Sequence, residues 1–274
     1  MTPAAPAPDR LRIATWNVNS LRVRLPALAR LLERTRPDVV CLQETRAAQP
    51  SDDALARLAD LGYEIAHVGT GGYNGVAIVS RHPLRDIERS GGFGVEVLDR
   101  EPRAITAVIE LPAPLRVVSV YVPHGRSVDH WHFAYKLDFV AALTARVVAW
   151  APSEHVVVAG DVNIAATDSD VFHPDAFVGA THVTPAERSA LTQLLDAGLV
   201  DVDVLRWGPG ARRFTWWKPG FGYSRNLGMR IDVIAVDERL ATRLDTTWID
   251  HLERGGDRPS DHAALLADFH CDAS

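Results

Sequence analysis

Five apolar stretches of the sequence each finish in a polar residue that can bind a metal ion or a phosphate. The stretches are residues 12–17, 39–44, 117–121, 156–163 and 229–232. Buried strands read as continuous runs of Val, Ile and Leu, and ligands gather where such strands end. The polar side chains at these ends are therefore expected to converge on one site. They are Asn17, Glu44, Tyr121, Asp161, Asn163 and Asp232.

The groups in this set that could bind a metal ion all offer oxygen atoms. No cluster of cysteine or histidine accompanies them, so a hard cation suits the set better than zinc, with Mg²⁺ expected and Mn²⁺ as the alternative. Mg²⁺ takes one or two carboxylates and keeps several waters, which leaves the other carboxylates free for acid–base work. The donors are the carboxylates of Glu44, Asp161, Asp232 and Asp261 and the amides of Asn17, Asn19 and Asn163.

A histidine follows the last of these carboxylates, in Ser260-Asp261-His262. Such a pair is common on protein surfaces, but Asp232 could fix the tautomer of His262, which could then donate to a phosphoryl oxygen in the transition state. Phosphodiester hydrolysis needs an activated water, charge neutralisation and help for the leaving oxygen, and the set has a candidate for each. If Asp161 works as an ionised carboxylate, activity should fall in acid.

Residues 204–231 carry six basic residues and no acidic one, interleaved with six aromatic residues. This pattern suits tracking of phosphates combined with base stacking or wedging. The alternative is a surface loop whose arginines pair with acids elsewhere. The basic residues are Arg206, Arg212, Arg213, Lys218, Arg225 and Arg230, and the aromatic ones are Trp207, Phe214, Trp216, Trp217, Phe221 and Tyr223.

Length and composition indicate one domain with a large core, over residues 11–270, after a flexible tail at residues 1–10. The chain has 274 residues, of which 47% are hydrophobic, and a formal net charge of −6, which argues against a generally basic nucleic-acid coat. Cys41 and Cys271 are expected to be buried, inert thiols. The sequence lacks a signal peptide and an apolar run long enough to span a bilayer, so a cytoplasmic protein without membrane contact is expected.

Helical patterns separate the apolar stretches. Leucines recur at helical spacing after Asn17, with Pro26 expected in the first turn, and further helices are predicted after Ser51, over about His130–Trp150 and after Thr184. The last of these has a capping box, which explains Glu187 without a catalytic role. Strands around 75–80, 104–110 and 116–121 follow one another, so two packed sheets flanked by helices fit better than one parallel sheet.

Eight short motifs, taken in order, resemble those of exonuclease III type apurinic/apyrimidinic endonucleases, within the endonuclease/exonuclease/phosphatase superfamily. The resemblance runs from about Leu11 to Phe269 and implies a four-layered α/β sandwich, with the site at one edge of its two sheets. The motifs are Trp16–Arg22, Leu42–Thr45, Gly72–Ile78, Tyr121–Pro123, Gly160–Ala165, Thr184–Arg188, Arg230–Asp232 and Ser260–His262.

The resemblance also implies roles for the metal-binding residues. Glu44 would hold Mg²⁺ with Asn17 and Asn19 nearby, and Asp261 would support the metal region. Asp161 would activate or position the attacking water.

The remaining catalytic roles concern the phosphate. Asn163 would orient the water or the phosphate, and Tyr121 would contact the phosphate or the leaving oxygen. Asp232 would orient His262, which would bind the scissile phosphate.

The implied partner is double-stranded DNA with abasic sites or blocked 3′ ends, bound by a monomer. The family cuts 5′ to a base-less sugar and leaves a 3′-hydroxyl, often with 3′-to-5′ exonuclease and 3′-phosphatase activity. Trp216, helped by Tyr73, would fill the lesion pocket or wedge the helix. The expected DNA contacts are Arg103, Arg126, Lys136, Arg188 and Arg225.

Three positions depart from the common family pattern. Arg46 replaces a lysine, His124 replaces an asparagine or glutamine, and Lys218-Pro219-Gly220 changes the loop after Trp217. Two other functions remain open at this point. One is hydrolysis of inositol or lipid phosphates by the same site, and the other is DNA binding without catalysis.

Overall fold

A computed structural model describes residues 10–90, 92–151 and 153–271. The expected tail at residues 1–10 lies outside the described residues for positions 1–9. Its last residue, Arg10, does not belong to a tail, because it is the first residue of a strand and pairs with His270.

The first sheet has six strands and contains both ends of the described chain. Its strands in spatial order are β13 (Leu244–Asp250), β14 (Ala264–His270), β1 (Arg10–Asn17), β2 (Val39–Gln43), β4 (Val76–Ser80) and β3 (Glu64–Val68). β1 and β2 are parallel, and every other neighbouring pair is antiparallel.

The second sheet also has six strands. They are, in spatial order, β5 (Leu84–Arg89), β6 (Ala104–Ile109), β7 (Leu115–Tyr121), β8 (His155–Asp161), β12 (Asp232–Asp237) and β9 (Leu199–Asp201). Only β7 and β8 are parallel. A separate ribbon joins β10 (Trp216–Trp217) to β11 (Gly228–Met229).

Seven α-helices are described in these residues. They are α1 (Leu21–Thr35), α2 (Asp52–Asp60), α3 (Glu96–Asp99), α4 (Trp131–Trp150), α5 (Pro185–Asp196), α6 (Val202–Trp207) and α7 (Glu238–Ala241). Single 3₁₀ turns occur at Asp168–Asp170, Pro174–Phe177 and Leu252–Gly255. None of the helices in the described part is both long and apolar enough to cross a membrane.

Alternation of side chains along the strands divides the core into layers. Ile13 faces the cluster between the two sheets, whereas Ala14 and Trp16 face the cluster under α1 and α2. On the other sheet Val118 and Val158 pack under α4 and α5. Helices therefore cover both outer faces of two packed sheets, which confirms the predicted four-layered α/β sandwich.

The helix predictions hold with one correction of detail. Pro26 lies inside α1 beyond its first turn, and the buried leucines of α1 hold the helix in place despite the missing N–H. Glu187 completes the predicted capping box with Thr184. Among the thiols Cys41 is buried as predicted, whereas Cys271 is exposed just past the end of β14.

Candidate active site

Strand direction brings the polar strand ends to one edge of the sandwich. The parallel strands β1 and β2 end at Asn17 and Gln43, and the parallel strands β7 and β8 end at Tyr121 and Asp161. Asp232 does not end a strand, as its apolar stretch suggested, but begins β12. Because β12 runs antiparallel to β8, its first residue pairs with Asp161, the last residue of β8.

A buried histidine lies between two aspartates at this edge. His262 Nδ1 is 2.8 Å from Asp232 Oδ2, and its Nε2 is 3.7 Å from Asp161 Oδ2. The backbone holds His262 in place, since its N–H donates to Ser260 Oγ and its carbonyl accepts from the indole of Trp16. The Asp232 contact fixes the ring orientation, so Nε2 faces the Asp161 carboxylate.

One buried amide joins two carboxylates from different sheets. Asn17 Nδ2 is 2.9 Å from Glu44 Oε1 and 2.9 Å from Asp161 Oδ2. The Arg46 guanidinium pairs with the other Glu44 oxygen at 2.5 Å. The sandwich thus places Glu44 and Asp161 side by side, although they lie more than a hundred residues apart.

Asp261 extends this group toward the β10–β11 ribbon. Its Oδ1 accepts from Asn19 Nδ2 at 2.8 Å, and its Oδ2 accepts from Trp216 Nε1 at 3.1 Å. An isolated bridge pairs Trp216 with His262. The half-buried indole of Trp216 is thereby fixed at the wall of the site.

Asn163 is anchored in a left-handed backbone conformation, with φ of 52°. Asparagine tolerates this region better than most residues. Its N–H donates to Asp161 Oδ1 at 2.9 Å, and its Nδ2 donates to Val122 O at 2.9 Å. The loop after β8 is therefore tied both to the Asp161 carboxylate and to the loop after β7.

Tyr121 lies beneath a buried arginine. The Arg103 guanidinium stands 4.9 Å from the centre of the Tyr121 ring and pairs with Glu101. Burial, together with the carboxylates of Glu44 and Asp161, raises the pKa of Tyr121 well above its usual value. The phenol therefore keeps its proton and can donate a hydrogen bond.

Negative charge and burial dominate the electrostatics of the site. Burial, opposed by His262 and reinforced by Asp232, raises the pKa of Asp161 to about 7. Burial alone would lower the pKa of His262, but the Asp232 and Asp161 carboxylates outweigh it and raise it to about 10. For Glu44, hydrogen bonds from Asn17 and Arg46 outweigh burial and lower the pKa. His262 is therefore protonated, and it lies beside the Asp161 carboxylate, whose ionised form is disfavoured by burial.

A metal ion fits the donor set. The Asp161 and Asp232 carboxylates are buried, and one oxygen of each lies within 4.8 Å of the other and of a His262 ring nitrogen. Because a protonated imidazole has no lone pair for a metal, the carboxylates and not His262 would bind the ion. The second oxygen of Asp232, Oδ1, is buried without a hydrogen-bond partner. Four carboxylates stand against few cationic groups here, so a bound cation would offset their repulsion.

A cavity of about 550 Å³ opens onto these groups. Arg126 lies in its wall, as do Tyr121 and Asp161. Phe177, Met229 and Trp216 supply an apolar side of the same cavity. Its lining thus combines carboxylates, a cation and a flat aromatic surface.

The predicted DNA contacts fall into different environments. Tyr73 is 80% exposed, Arg225 is exposed, and Arg188 is partly exposed beside Asp168. Arg103 is buried on Tyr121, and its contact with DNA stays a prediction. Lys136 is wrong as a DNA contact, because its ammonium is fully buried and paired with Glu187 at 2.5 Å.

Both interpretations of residues 204–231 apply to part of that segment. Arg230 is buried between Asp170 and Asp201, and Arg213 pairs with Asp203, as the loop alternative predicts. The remaining basic residues have no acidic partner among the ion pairs of the described chain. They are Arg206, Arg212, Lys218 and Arg225, all exposed.

His182 lines the same cavity and was not predicted. It stands opposite His124 and reaches the backbone of Asn163. It lies just before a capping box, outside any periodic pattern, so no signal in the sequence pointed to it. Ser260 was found only within a motif, yet its hydroxyl donates to Asn17 O at 2.7 Å and links β1 to the His262 loop.

The chain is similar to known proteins over most of its length. Residues 14–262 match the model of the Endonuclease/Exonuclease/phosphatase family. Exodeoxyribonuclease III of Haemophilus influenzae is 32% identical, in an alignment that covers 94% of this chain and 100% of that protein.

Solved structures agree in fold. The 3′-phosphatase NExo from Neisseria, bound to a product DNA hairpin, has a TM-score of 0.86 and 35% identity, over 94% of this chain and 99% of that one. An AP endonuclease from Archaeoglobus fulgidus has a TM-score of 0.86 and 32% identity, over 94% and 99% of the two chains. The resemblance noted in the motifs thus extends to the entire sandwich.

Proposed function

Because the chain belongs to the endonuclease/exonuclease/phosphatase family, we propose that it is a Mg²⁺-dependent DNA repair nuclease that hydrolyses the phosphodiester 5′ to abasic sites. The observation that carries this proposal is the contact of His262 with Asp161 on one side and Asp232 on the other. Asn17 and Glu44 complete the group. This arrangement supplies an ionisable carboxylate and an oriented cation within reach of one phosphate.

The metal would be held by carboxylates at the same edge. Glu44, with Asp161 and the region of Asn17, Asn19 and Asp261, offers hard oxygen donors of the type that Mg²⁺ prefers. When bound, such an ion neutralises charge on the phosphate oxygens. Mn²⁺ has the same ligand preference and is the alternative.

The residues of the chain would divide the remaining work. The Asp161 carboxylate would accept a proton from the attacking water or orient that water, and Asn163 would hold the phosphate or the water beside it. His262 would donate from Nε2 to a non-bridging oxygen, while Asp232 keeps its ring in place. The protonated Tyr121 phenol would donate to the phosphate or to the leaving oxygen.

DNA would be bound by aromatic and basic side chains around the cavity. Trp216, in the cavity wall, and the exposed Tyr73 would occupy the lesion gap or wedge the helix. Arg126, Arg188 and Arg225 would contact the backbone.

One substrate tests the proposal directly. A duplex with a single tetrahydrofuran abasic analogue should be cut 5′ to the analogue with Mg²⁺ and left intact with EDTA. The control is the same duplex with an ordinary nucleotide at that position. No incision at stoichiometric enzyme with Mg²⁺ or Mn²⁺ would reject the proposal.

Product mapping separates the related activities of the same site. We propose 3′-to-5′ exonuclease and 3′-phosphatase activity alongside incision, to be assayed on nicked and 3′-phosphate DNA. Activity on a phosphoinositide with none on DNA would instead favour the lipid-phosphate alternative. DNA binding unaltered by Asp161→Asn, with no hydrolysis by either protein, would favour the non-catalytic alternative.

We also propose that the protein acts as a monomer in the cytoplasm. A single chain brings together all the residues assigned to the site. Size-exclusion chromatography with light scattering should give a mass near 30.0 kDa for the protein without DNA. A mass of twice that value without DNA would contradict it.

A further inference from the structure

Two histidine rings meet in the wall of the cavity. His124, in the loop after β7, and His182, before α5, have their Nε2 atoms 3.2 Å apart. The ring centres are 4.4 Å apart and the planes are nearly perpendicular, at 85°. Two nitrogens at this distance share one hydrogen, so one ring donates and the other accepts.

The outer contacts decide which ring donates. His182 Nδ1 lies 2.5 Å from the backbone carbonyl oxygen of Asn163, and a carbonyl can only accept. Nδ1 of His182 therefore carries the hydrogen, and its Nε2 is left as an acceptor. His124 Nε2 must donate to it, and His124 Nδ1 then accepts the N–H of Arg126 at 3.1 Å.

The chain of hydrogen bonds is complete only while both rings are neutral. A proton added to His182 would set two N–H groups against each other, and one added to His124 would oppose the Arg126 N–H. Burial and the nearby Lys136 ammonium lower the pKa of both rings, that of His182 to about 3. The surroundings thus agree with the tautomers that the contacts require.

This series of hydrogen bonds ends at Asn163, a residue of the candidate active site. The Asn163 carbonyl accepts from His182 and also from Lys136 Nζ, at 2.7 Å. Lys136 is itself held by Glu187, whose Oε1 also accepts from the Thr181 hydroxyl at 2.6 Å. A buried hydrogen-bond network therefore holds the carbonyl of Asn163, while its N–H donates to Asp161.

We propose that His124 and His182 are positioning residues, which orient Asn163 for the reaction through a hydrogen-bond chain of fixed tautomers. The inference rests on the proposed nuclease function, because it concerns the residue that would hold the water or the phosphate. Neither ring has a free nitrogen for the substrate. Their effect is expected on turnover and not on binding.

Amide substitutions can test each ring nitrogen separately. The side-chain amide of asparagine reaches about as far as Nδ1 of histidine, and that of glutamine about as far as Nε2. His182→Asn keeps the donor to Asn163, whereas His182→Gln keeps only a partner for His124. At the other ring His124→Gln keeps the donor to His182, whereas His124→Asn keeps only the acceptor for Arg126.

His182→Asn and His124→Gln should retain the function of the histidine that they replace. Each of these two variants is expected within about threefold of wild-type kcat on the abasic duplex. The opposite amides should lower kcat by about 10-fold or more, with KM changed by less than about twofold. His270→Gln, at an exposed histidine at the end of β14, is the matched control and should leave kcat unchanged.

A spectroscopic measurement tests the same chain without catalysis. Nitrogen-15 NMR of the histidine rings at pH 7 should show hydrogen on Nε2 of His124 and on Nδ1 of His182, both neutral. Equal kcat for the two amides at both positions, or a protonated ring at either position, would overturn the inference. If wild-type protein cuts no DNA, the proposed function fails, while the NMR result still decides the tautomers.

Discussion

At the scale of single residues, the Asp161 carboxylate lies among three other residues of the site. Its two oxygens accept hydrogen bonds from Asn17 Nδ2 and from the Asn163 N–H. His262 Nε2 lies 3.7 Å from Asp161 Oδ2. These neighbours leave the carboxylate able to accept one more hydrogen bond from a water. The first two predictions follow from this environment.

Replacing the carboxylate by an amide should strongly reduce turnover and keep the fold. In Asp161→Asn the shape is retained, but the side chain cannot accept a proton, so kcat on the abasic duplex should fall by about 10²–10⁴. Circular dichroism and DNA affinity should remain close to wild type. A variant with wild-type kcat would exclude Asp161 as the acceptor.

The pH dependence of the rate should show an acid limb. The working form of Asp161 is ionised and burial raises its pKa to about 7, so protonation removes that form as the pH falls. A bound cation favours the ionised form and shifts the limb to lower pH. Single-turnover rates from pH 4.5 to 9 should fall tenfold per unit on that limb, and a flat profile in a folded protein would contradict the role.

Residue types alone identified most of the site but not all of its contacts. Asp161, His262 and Glu44 were recognised because each follows an apolar stretch or a motif. Lys136 was misplaced, since a lysine on a predicted helix gives no sign that the helix face is buried. His182 could not be found either, because its partner Asn163 is supplied by the fold and not by neighbouring residues.

At the scale of elements, the site depends on how closely β7 and β8 approach each other. Gly160 precedes Asp161 in β8, and a Cβ atom at this position would overlap the Val120 carbonyl oxygen in β7. Only glycine allows the two strands to pair there. The position of Asp161 therefore depends on its neighbour having no side chain.

Adding one methyl group should expose this dependence. Gly160→Ala should lower the free energy of unfolding by about 1–3 kcal/mol, because backbone atoms must move to make room. It should also lower kcat, since Asp161 moves with the strand. Gly255→Ala is the control, because nothing lies near its added Cβ, and it should change stability by less than about 0.5 kcal/mol. Urea unfolding gives both values, and equal results for the two variants would contradict the argument.

Element order was predictable, whereas strand direction at the site was not. Runs of Val and Ile marked β2, β7 and β8, and helical spacing marked α1 and α4. The stretch ending at Asp232 looked like one more strand end. Only pairing with β8 shows that the strand begins there, and pairing between distant segments leaves no local pattern.

At the scale of the whole molecule, a buried ion pair joins two neighbouring strands of the first sheet. Arg12 in β1 and Asp268 in β14 face each other in register, with side chains 1% and 0% exposed, and the Nε–Oδ1 distance is 2.6 Å. Arg12 also donates to Thr35 O at the end of α1. This pair ties two strands and a helix to one another.

Replacing one partner of this ion pair should destabilise the protein more than replacing both partners. Arg12→Met removes the closer of the two cations beside the buried Asp268 and leaves only Arg10 Nη1, at 3.8 Å, so it should lower the free energy of unfolding by about 3–5 kcal/mol. The double variant with Asp268→Leu should recover most of this loss, because no buried charge remains. Urea unfolding of the single and double variants measures the coupling, and strictly additive losses would contradict it.

The active site can form only after β1 has paired with β14 during folding. Asn17 and His262 lie near opposite ends of the described chain, and the pairing of β1 with β14 holds both of them beside Asp161. An unfinished polypeptide emerging from the ribosome therefore has no complete hydrolytic centre, and recovery of catalysis after dilution from denaturant should be among the slowest events of refolding.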